Sequence, residues 1–178
     1  MQINAKLSKD KRIEIAAEEI FSKYGYEKAT LDQIISLADV GKGTVYKYFG
    51  NKEQLFYKLV SAKNEPFVEA LRVAVESESE LKDKLTAYFK VMVEFYQKNC
   101  ALWQIIYYEM LNDTHCTVVF DAEDNAQVIS RYSEDTVSDE VKERFLRYHN
   151  LLTSEFEILY KIVVDGMKEG TLKSGNAR

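Results

Sequence analysis

Apolar residues along this chain fall at steps of three and four, and the steps break at a few glycine or polar positions. That spacing lines one face of a helix turning about 100° per residue. Ile13, Ala16, Ala17, Ile20, Phe21 and Tyr24 make the first such face. They predict a helix over 9–24, with Ser8 as N-cap and Gly25 as stop signal. A short helix follows from Thr30, where "TLDQ" has the form of a capping box: the Thr30 hydroxyl takes one free N–H, and Gln33 reaches back to another. Its buried side is Leu31, Ile34, Ile35 and Ala38. Asp39 and Gly41 then occupy a tight turn, where both residue types tolerate left-handed backbone.

The third helix is predicted over 42–49. On a helical wheel Val45 and Phe49 point one way, with Tyr48 at the edge. Gly43 and Lys47 point the other way, flanked by Thr44 and Tyr46. The outward face is small, hydroxylated and basic, a face that approaches a polyanion closely. Two helices joined by so short a turn are a helix-turn-helix. Gly50 ends the third helix, and Asn51 caps a fourth that keeps helical spacing into the seventies. Pro66 falls inside it, so a kink or break is expected near 63–65.

"ESESE" at 76–80 reads as a polar connector. Two further helices are expected at about 80–98 and 101–112, dense in rings and methionine. Residues 113–138 mix β-branched and acidic types; a helix through the middle with loops at both ends is the reading there. The helical pattern returns from Asp139 to Met167 and frays at Gly166, Gly170 and Gly175. The fold class is therefore all-α.

Composition sharpens this. A single proline and seven glycines in 178 residues favour long helices over a many-stranded fold. No apolar run reaches the roughly 18 residues of a membrane span, and the charged N-terminus has no signal-peptide core. Cys100 and Cys116 make no disulfide framework and no zinc spacing. These features point to the cytoplasm. Net charge is −5, unfavourable for nucleic acid taken whole, but residues 1–63 carry +3 and residues 64–178 carry −8. One end suits an anion and the other does not.

Residues 9–60 resemble the DNA-binding domain of the TetR family of bacterial transcriptional regulators. The resemblance rests on "IEIAAEEIFSKYGYEKAT" followed by "LDQIISLADVGKGTVYKYFGNKEQLF", with Gly43, Tyr46, Tyr48, Phe49, Lys52, Glu53 and Leu55 at their spacings. It covers roughly a third of the chain; the rest is similar to the family only in being helical. Asp39 stands where the family usually has glycine, and Gly41 where it often has serine. Both substitutes suit the backbone. The resemblance implies an N-terminal three-helix DNA-binding domain over 1–50, with its motif at about 30–49. A larger helical ligand-binding and dimerisation domain would span 51–178. "DGMKEGTLKSGNAR" is similar to the stretch that in the family precedes the last two helices, the usual dimer elements. Either those helices are lacking after Arg178 or the alignment of the rear half is shifted.

Carried over by position, the resemblance implies that Lys42, Gly43, Thr44 and Tyr48 lie near base edges. Thr30, Tyr46, Lys47 and Lys52 would hold the DNA backbone. Lysine is a mobile charge suited to phosphate or to guanine acceptors, and threonine offers a hydroxyl or a methyl. One such motif reads few base pairs, so a homodimer on a palindromic double-stranded operator is expected, its recognition helices about 34–36 Å apart or near multiples of that. The rear half is expected to hold a pocket for an unknown, largely apolar small molecule. Phe89, Met92, Tyr96, Trp103, Tyr107, Tyr108, His149 and Phe156 are its candidate lining, with Phe95, Met110, Phe145 and Tyr148 as further rings and thioether. An aromatic stripe at helical spacing is more often core than binding site, but buried tyrosine and tryptophan tips need partners.

No cofactor and no metal are expected. His115 and Cys116 lie near Asp113, Asp121, Glu123 and Asp124, but adjacent side chains seldom converge on one ion. Neither a glycine-rich phosphate loop nor a serine nucleophile motif is present, so an enzyme is not expected. The reading is a ligand-responsive regulator, a repressor released from DNA by a small molecule. The competing class is a helical protein–protein adaptor without specific DNA binding.

Overall fold

The computed structural model describes residues 3–112, 116–120, 126–130, 137–173 and 175. Six α-helices follow one another: α1 (Lys9–Lys28), α2 (Leu31–Ala38), α3 (Lys42–Phe49), α4 (Lys52–Glu76), α5 (Leu81–Ile105) and α6 (Asp139–Lys168). A π-helical stretch, Ile106–Asn112, continues α5, and two strands, β1 (Cys116–Phe120) and β2 (Ala126–Ser130), precede α6.

The chain divides into two compact units. The first is 1–62 with 101–145, the second 63–100 with 146–178. In the first unit the apolar face of α1 (Ile13, Ala16, Ala17, Ile20 and Phe21) is buried, as are Ile34 and Ala38 of α2 and Val45 and Phe49 of α3. Phe21, Tyr26 and Phe56 form a ring cluster, with Phe56 edge-on to both partners at centroid distances of 4.9 and 5.4 Å. In the second unit Phe67, Leu71, Val75, Tyr88 and Ile162 make the core, and the Phe67 and Phe95 rings stack at 3.8 Å.

Several local expectations change. Gly25 does interrupt α1, with φ 75° and ψ 175°, but one more turn runs on to Lys28. Ser8 stands at the N-cap without capping the helix. Its hydroxyl bonds the Asp10 carboxyl instead and, as the main cause, holds that group below its ordinary 3.8. Gly41 has an ordinary extended backbone (φ −70°) and serves as the N-cap of α3, so only Asp39 supplies left-handed geometry in the turn (φ 51°, ψ 56°). No break follows from Pro66: α4 is continuous from Lys52 to Glu76. Burial of Leu59 and Val60 before the proline and Phe67 and Leu71 after it holds the helical course across one missing hydrogen bond. The predicted break near residue 99 is also absent from α5. Asn99 turns its amide back onto the Phe95 carbonyl at 2.9 Å, within the helix.

The helix expected within 113–138 is replaced by an antiparallel pair with Cys116 opposite Ser130 and Val118 opposite Val128. Thr117, Val118, Val119, Val128 and Ile129 are β-branched, and their restricted side chains fit a pleated strand better than a helix.

Candidate nucleic-acid interface

The helix-turn-helix is fixed by three local devices. The capping box forms as the sequence requires: Gln33 N–H donates to Thr30 Oγ1 at 3.2 Å, and Thr30 N–H donates to Gln33 Oε1 at 2.8 Å. Replacing Thr30 by Ala removes one of these bonds and is expected to cost about 1 kcal/mol. Thermal unfolding, with faster amide exchange confined to the start of α2, is the check, and an unchanged exchange pattern would refute it. The second device is the left-handed Asp39, whose N–H reaches the Ser36 carbonyl. The third is Gly50 (φ 77°, ψ −76°), which ends α3 in a region closed to other residues. Asn51 then caps α4, its Oδ1 accepting from Gln54 N–H at 2.8 Å.

This frame turns α3 so that Val45 and Phe49 are buried. Lys42, Gly43, Tyr46, Lys47 and Tyr48 are exposed, and Thr44 is half-buried. A β-carbon at Gly43 would meet no atom within 4 Å. The fold therefore has no steric need of glycine there, and its smallness serves the outside of the helix. Thr30 is exposed and keeps its hydroxyl proton free to donate while its oxygen caps α2. Lys42 is shared: its Nζ lies 3.4 Å from the Asp32 carboxylate, both side chains being largely exposed.

Lys52 opens α4. Its ammonium donates to the carbonyls of Tyr26 (3.0 Å) and Ala29 (3.2 Å), with the Glu27 carbonyl at 3.5 Å and the Tyr26 ring centroid at 4.3 Å. Without DNA it rests on the end of α1. The direction of a flexible side chain is not encoded in helical spacing. Arg12 is a residue that sequence reasoning missed. Its Nη2 donates to the carbonyl of Asp39 at 2.5 Å and to its carboxylate at 3.0 Å.

The eight residues expected to line a ligand pocket divide between the units. Phe89, Met92, Tyr96, His149 and Phe156 belong to the second, and Trp103, Tyr107 and Tyr108 to the first. Trp103 is buried, Met92, Tyr96 and His149 are half-buried, and Phe89, Tyr107, Tyr108 and Phe156 are exposed. Of the further four, Phe145 and Tyr148 are buried and Phe95 half-buried, while the Met110 side chain lies outside those described. A cleft of about 290 Å³ in the second unit is lined by Val75, Ile158, Ile162 and six charged residues, among them Arg72, Lys84 and Lys161, and by none of the twelve.

The second unit does hold a buried polar cluster that was not anticipated. Glu155 is fully buried; its Oε1 accepts from Tyr96 OH at 2.8 Å and its backbone carbonyl from Tyr88 OH at 3.1 Å. Burial raises its pKa above the ordinary glutamate range. Burial, and then the Glu155 charge, push Tyr88 up to about 12. Asn64 donates to the Leu151 carbonyl and to Ser154 Oγ, both at 3.1 Å. A signal for Glu155 existed: it sits on the α6 stripe Tyr148, Leu152, Leu159 and Ile162 at helical steps.

His115, Asp113, Asp121, Glu123 and Asp124 lie outside the described residues. Among those described, no cluster of metal-ligating side chains occurs, and no helix is long and apolar enough to cross a membrane.

Comparison with known proteins agrees with this geometry. The family model for bacterial regulatory proteins of the tetR family matches residues 15–59. The HTH-type transcriptional regulator YhgD of Bacillus subtilis is 27% identical over 168 residues, covering 94% of this chain and 73% of that protein. The fatty acid metabolism regulator protein of the same organism is 26% identical over 160 residues, covering 90% and 69%. Among solved structures, the transcriptional regulator FadR of Bacillus subtilis in complex with stearoyl-CoA aligns with TM-score 0.65 at 21% identity, over 93% of this chain and 75% of its own. A tetR-family regulatory protein from Rhodococcus RHA1 aligns with TM-score 0.70 at 20% identity, over 97% and 76%.

Proposed function

This chain belongs to the tetR family of bacterial regulatory proteins and is a transcriptional regulator, and from that premise we propose that it is a repressor. It binds a palindromic operator as a homodimer and leaves it when a largely apolar effector binds. The observation that carries the reading is the α3 surface: Gly43, Tyr46, Lys47 and Tyr48 outward over a buried Val45 and Phe49. In this proposal Lys42, Gly43, Thr44 and Tyr48 read base edges, and Thr30, Tyr46, Lys47 and Lys52 hold phosphates. Phosphate contacts set position, and base contacts choose the sequence.

Self-association is supported by apolar side chains exposed on the second unit, Phe89 and Val93 of α5 and Phe156 and Tyr160 of α6. For the effector, the named relatives favour a molecule with a long acyl chain. It would act only through unequal affinity for the DNA-fit and DNA-unfit states.

The test is a mobility shift with DNA from upstream of the protein's own gene, repeated across salt concentrations. Wild type is expected to bind with a steep salt dependence, and Lys47→Ala to flatten the log–log slope by about 0.9. Undiminished slope and affinity in Lys47→Ala would remove Lys47 from the interface. Release of the duplex by a long-chain acyl-CoA supports the effector class; retention of the duplex at saturating acyl-CoA excludes it.

A further inference from the structure

The cleft of the second unit is built on three helices. Val75 of α4 and Ile158 and Ile162 of α6 give it an apolar floor, and Val75 and Ile162 are buried in the core that also takes in Tyr88. Each helix sends one cation to the rim: Arg72 from α4, Lys84 from α5 and Lys161 from α6. Close packing fixes the frame around them. A β-carbon added at Gly166 of α6 would come within 3.1 Å of Leu172 Cδ1 and 3.3 Å of Leu81 Cδ1. Leu172 N–H closes the same corner on the Gly166 carbonyl at 3.0 Å. Leu81, one turn before Lys84, is thereby seated on the end of α6.

The cations are not committed within the protein. Among the described residues neither the Lys84 nor the Lys161 ammonium has a hydrogen bond or an ion pair. Arg72 gives only Nη1 to Glu69, at 2.7 Å. Lys84 is half-buried, whereas Arg72 and Lys161 are exposed. A lysine stem lying on apolar surface holds its charge at the edge of that surface. Three like charges around one cleft repel one another, and an anion between them relieves the repulsion and the partial loss of water together.

The kind of anion follows from the rest of the lining. Glu76, Glu78 and Asp165 also line the cleft, so the formal charge of its rim sums to zero. None of these carboxylates reaches ion-pair distance of Lys84 or Lys161, and Asp165 lies 3.7 Å from Lys168 instead. A balanced rim penalises a dianion and leaves a place for one negative charge. The remaining edge of the Arg72 guanidinium matches the two oxygens of a carboxylate. The floor takes hydrocarbon, and about 290 Å³ holds about ten water-sized atoms.

We propose that this cleft binds a medium-chain aliphatic monocarboxylate, with its carboxylate among Arg72, Lys84 and Lys161 and its chain on Val75, Ile158 and Ile162. A long-chain acyl-CoA is far too large for it. The carboxylate is therefore a second ligand, and its site does not depend on the regulator reading above.

Octanoate, of about this size, is the probe, followed on the full chain by isothermal titration and methyl NMR. Wild type is expected to bind it saturably, with shifts at the methyl groups of Val75, Ile158 and Ile162 and none at Val45 of α3. Lys84→Gln and Lys161→Gln should each weaken binding by about five- to tenfold. Lys90→Gln, on α5 outside the cleft, should leave it unchanged. Glu76→Gln combined with Glu78→Gln should tighten it by about twofold or more. At pH 8, where octyl phosphate is a dianion, that compound, 1-octanol and octylammonium should each bind about tenfold more weakly than octanoate. Octanol bound as tightly as octanoate would make the cleft apolar only, and tighter octylammonium would assign the rim to its carboxylates. Tighter octyl phosphate would make the ligand a phosphate. Each of these results overturns the proposal, as does unchanged octanoate affinity in both lysine variants or no saturable binding by wild type. If a lysine variant fails to fold, the four probes on wild type decide the matter. None of the measurements uses DNA, so failure of the regulator reading would leave this result standing, and the reverse.

Discussion

Phe56→Ala is expected to destabilise the first unit by about 3–5 kcal/mol and to abolish DNA binding with it. Phe56 is fully buried and sits edge-on to both Phe21 and Tyr26, which themselves stack at 5.9 Å. Through these rings α4 is packed against α1. Truncation removes the transfer free energy of the ring and leaves a void that Phe21 and Tyr26, tied to their own helix, fill only in part. Lys52 adds to the effect, because its ammonium lies over the Tyr26 ring and on carbonyls that the cluster holds in place. A midpoint of thermal unfolding lowered by about 10 °C is the expected reading. Val73→Ala, at a residue 59% exposed, serves as the comparison and should move the midpoint little. If the two variants unfolded within about 2 °C of each other, the ring cluster would not be the keystone assigned to it here.

The parts of this domain that could be read from sequence are those governed by neighbours in the chain. The Thr30–Gln33 box, the left-handed Asp39, the Gly50 stop and the Asn51 cap all depend on residues within four positions, and the buried face of α1 follows from its period alone. Side chains that act across the chain were not legible. Lys52 spans 23 to 26 residues to its carbonyls and Arg12 spans 27 to Asp39. A lysine in a DNA-binding motif and a lysine capping a neighbouring helix look alike in one dimension. The breaks placed after residue 98 and near Pro66 fail for a related reason. Asn99 finds an acceptor inside its own helix, and burial on both sides of Pro66 outweighs one lost bond. In residues 113–138 no apolar period of either kind dominates, so propensity was left to decide, and the β-branched residues sided with strands. The ligand-lining expectation grouped rings by density along the chain, which carries no information about which unit receives each ring.

Glu155→Gln is expected to stabilise the second unit at pH 8 by roughly 1–3 kcal/mol, and the gain should fade on acidification. Glu155 is fully buried, with Tyr96 OH as donor to Oε1 and no partner for Oε2 among the described residues. A carboxylate there lacks most of the hydration it has in the unfolded chain, and one hydrogen bond does not replace it. The folded protein therefore holds the Glu155 proton over a range, beginning at the ordinary 4.5 and extending upward, in which the unfolded chain has already lost it. With more protons on the native state, stability falls as pH rises through the folded value. The groups facing the carboxyl fit this assignment. Tyr96 lowers the Glu155 pKa by bonding its charged form, and Tyr88, on the backbone carbonyl, titrates only near 12. Glutamine keeps the acceptor for Tyr96 and carries no charge at any pH, so the variant should lack this slope. Urea unfolding of wild type, Glu155→Gln and Tyr96→Phe from pH 5 to pH 8 checks the argument. Wild type should converge with Glu155→Gln toward pH 5. Tyr96→Phe, which strips the carboxylate of its donor, should lose stability with pH more steeply than wild type. Curves for wild type and Glu155→Gln that stay parallel across this range would mean that the carboxyl is solvated, and would remove the buried charge as a determinant of this unit's stability.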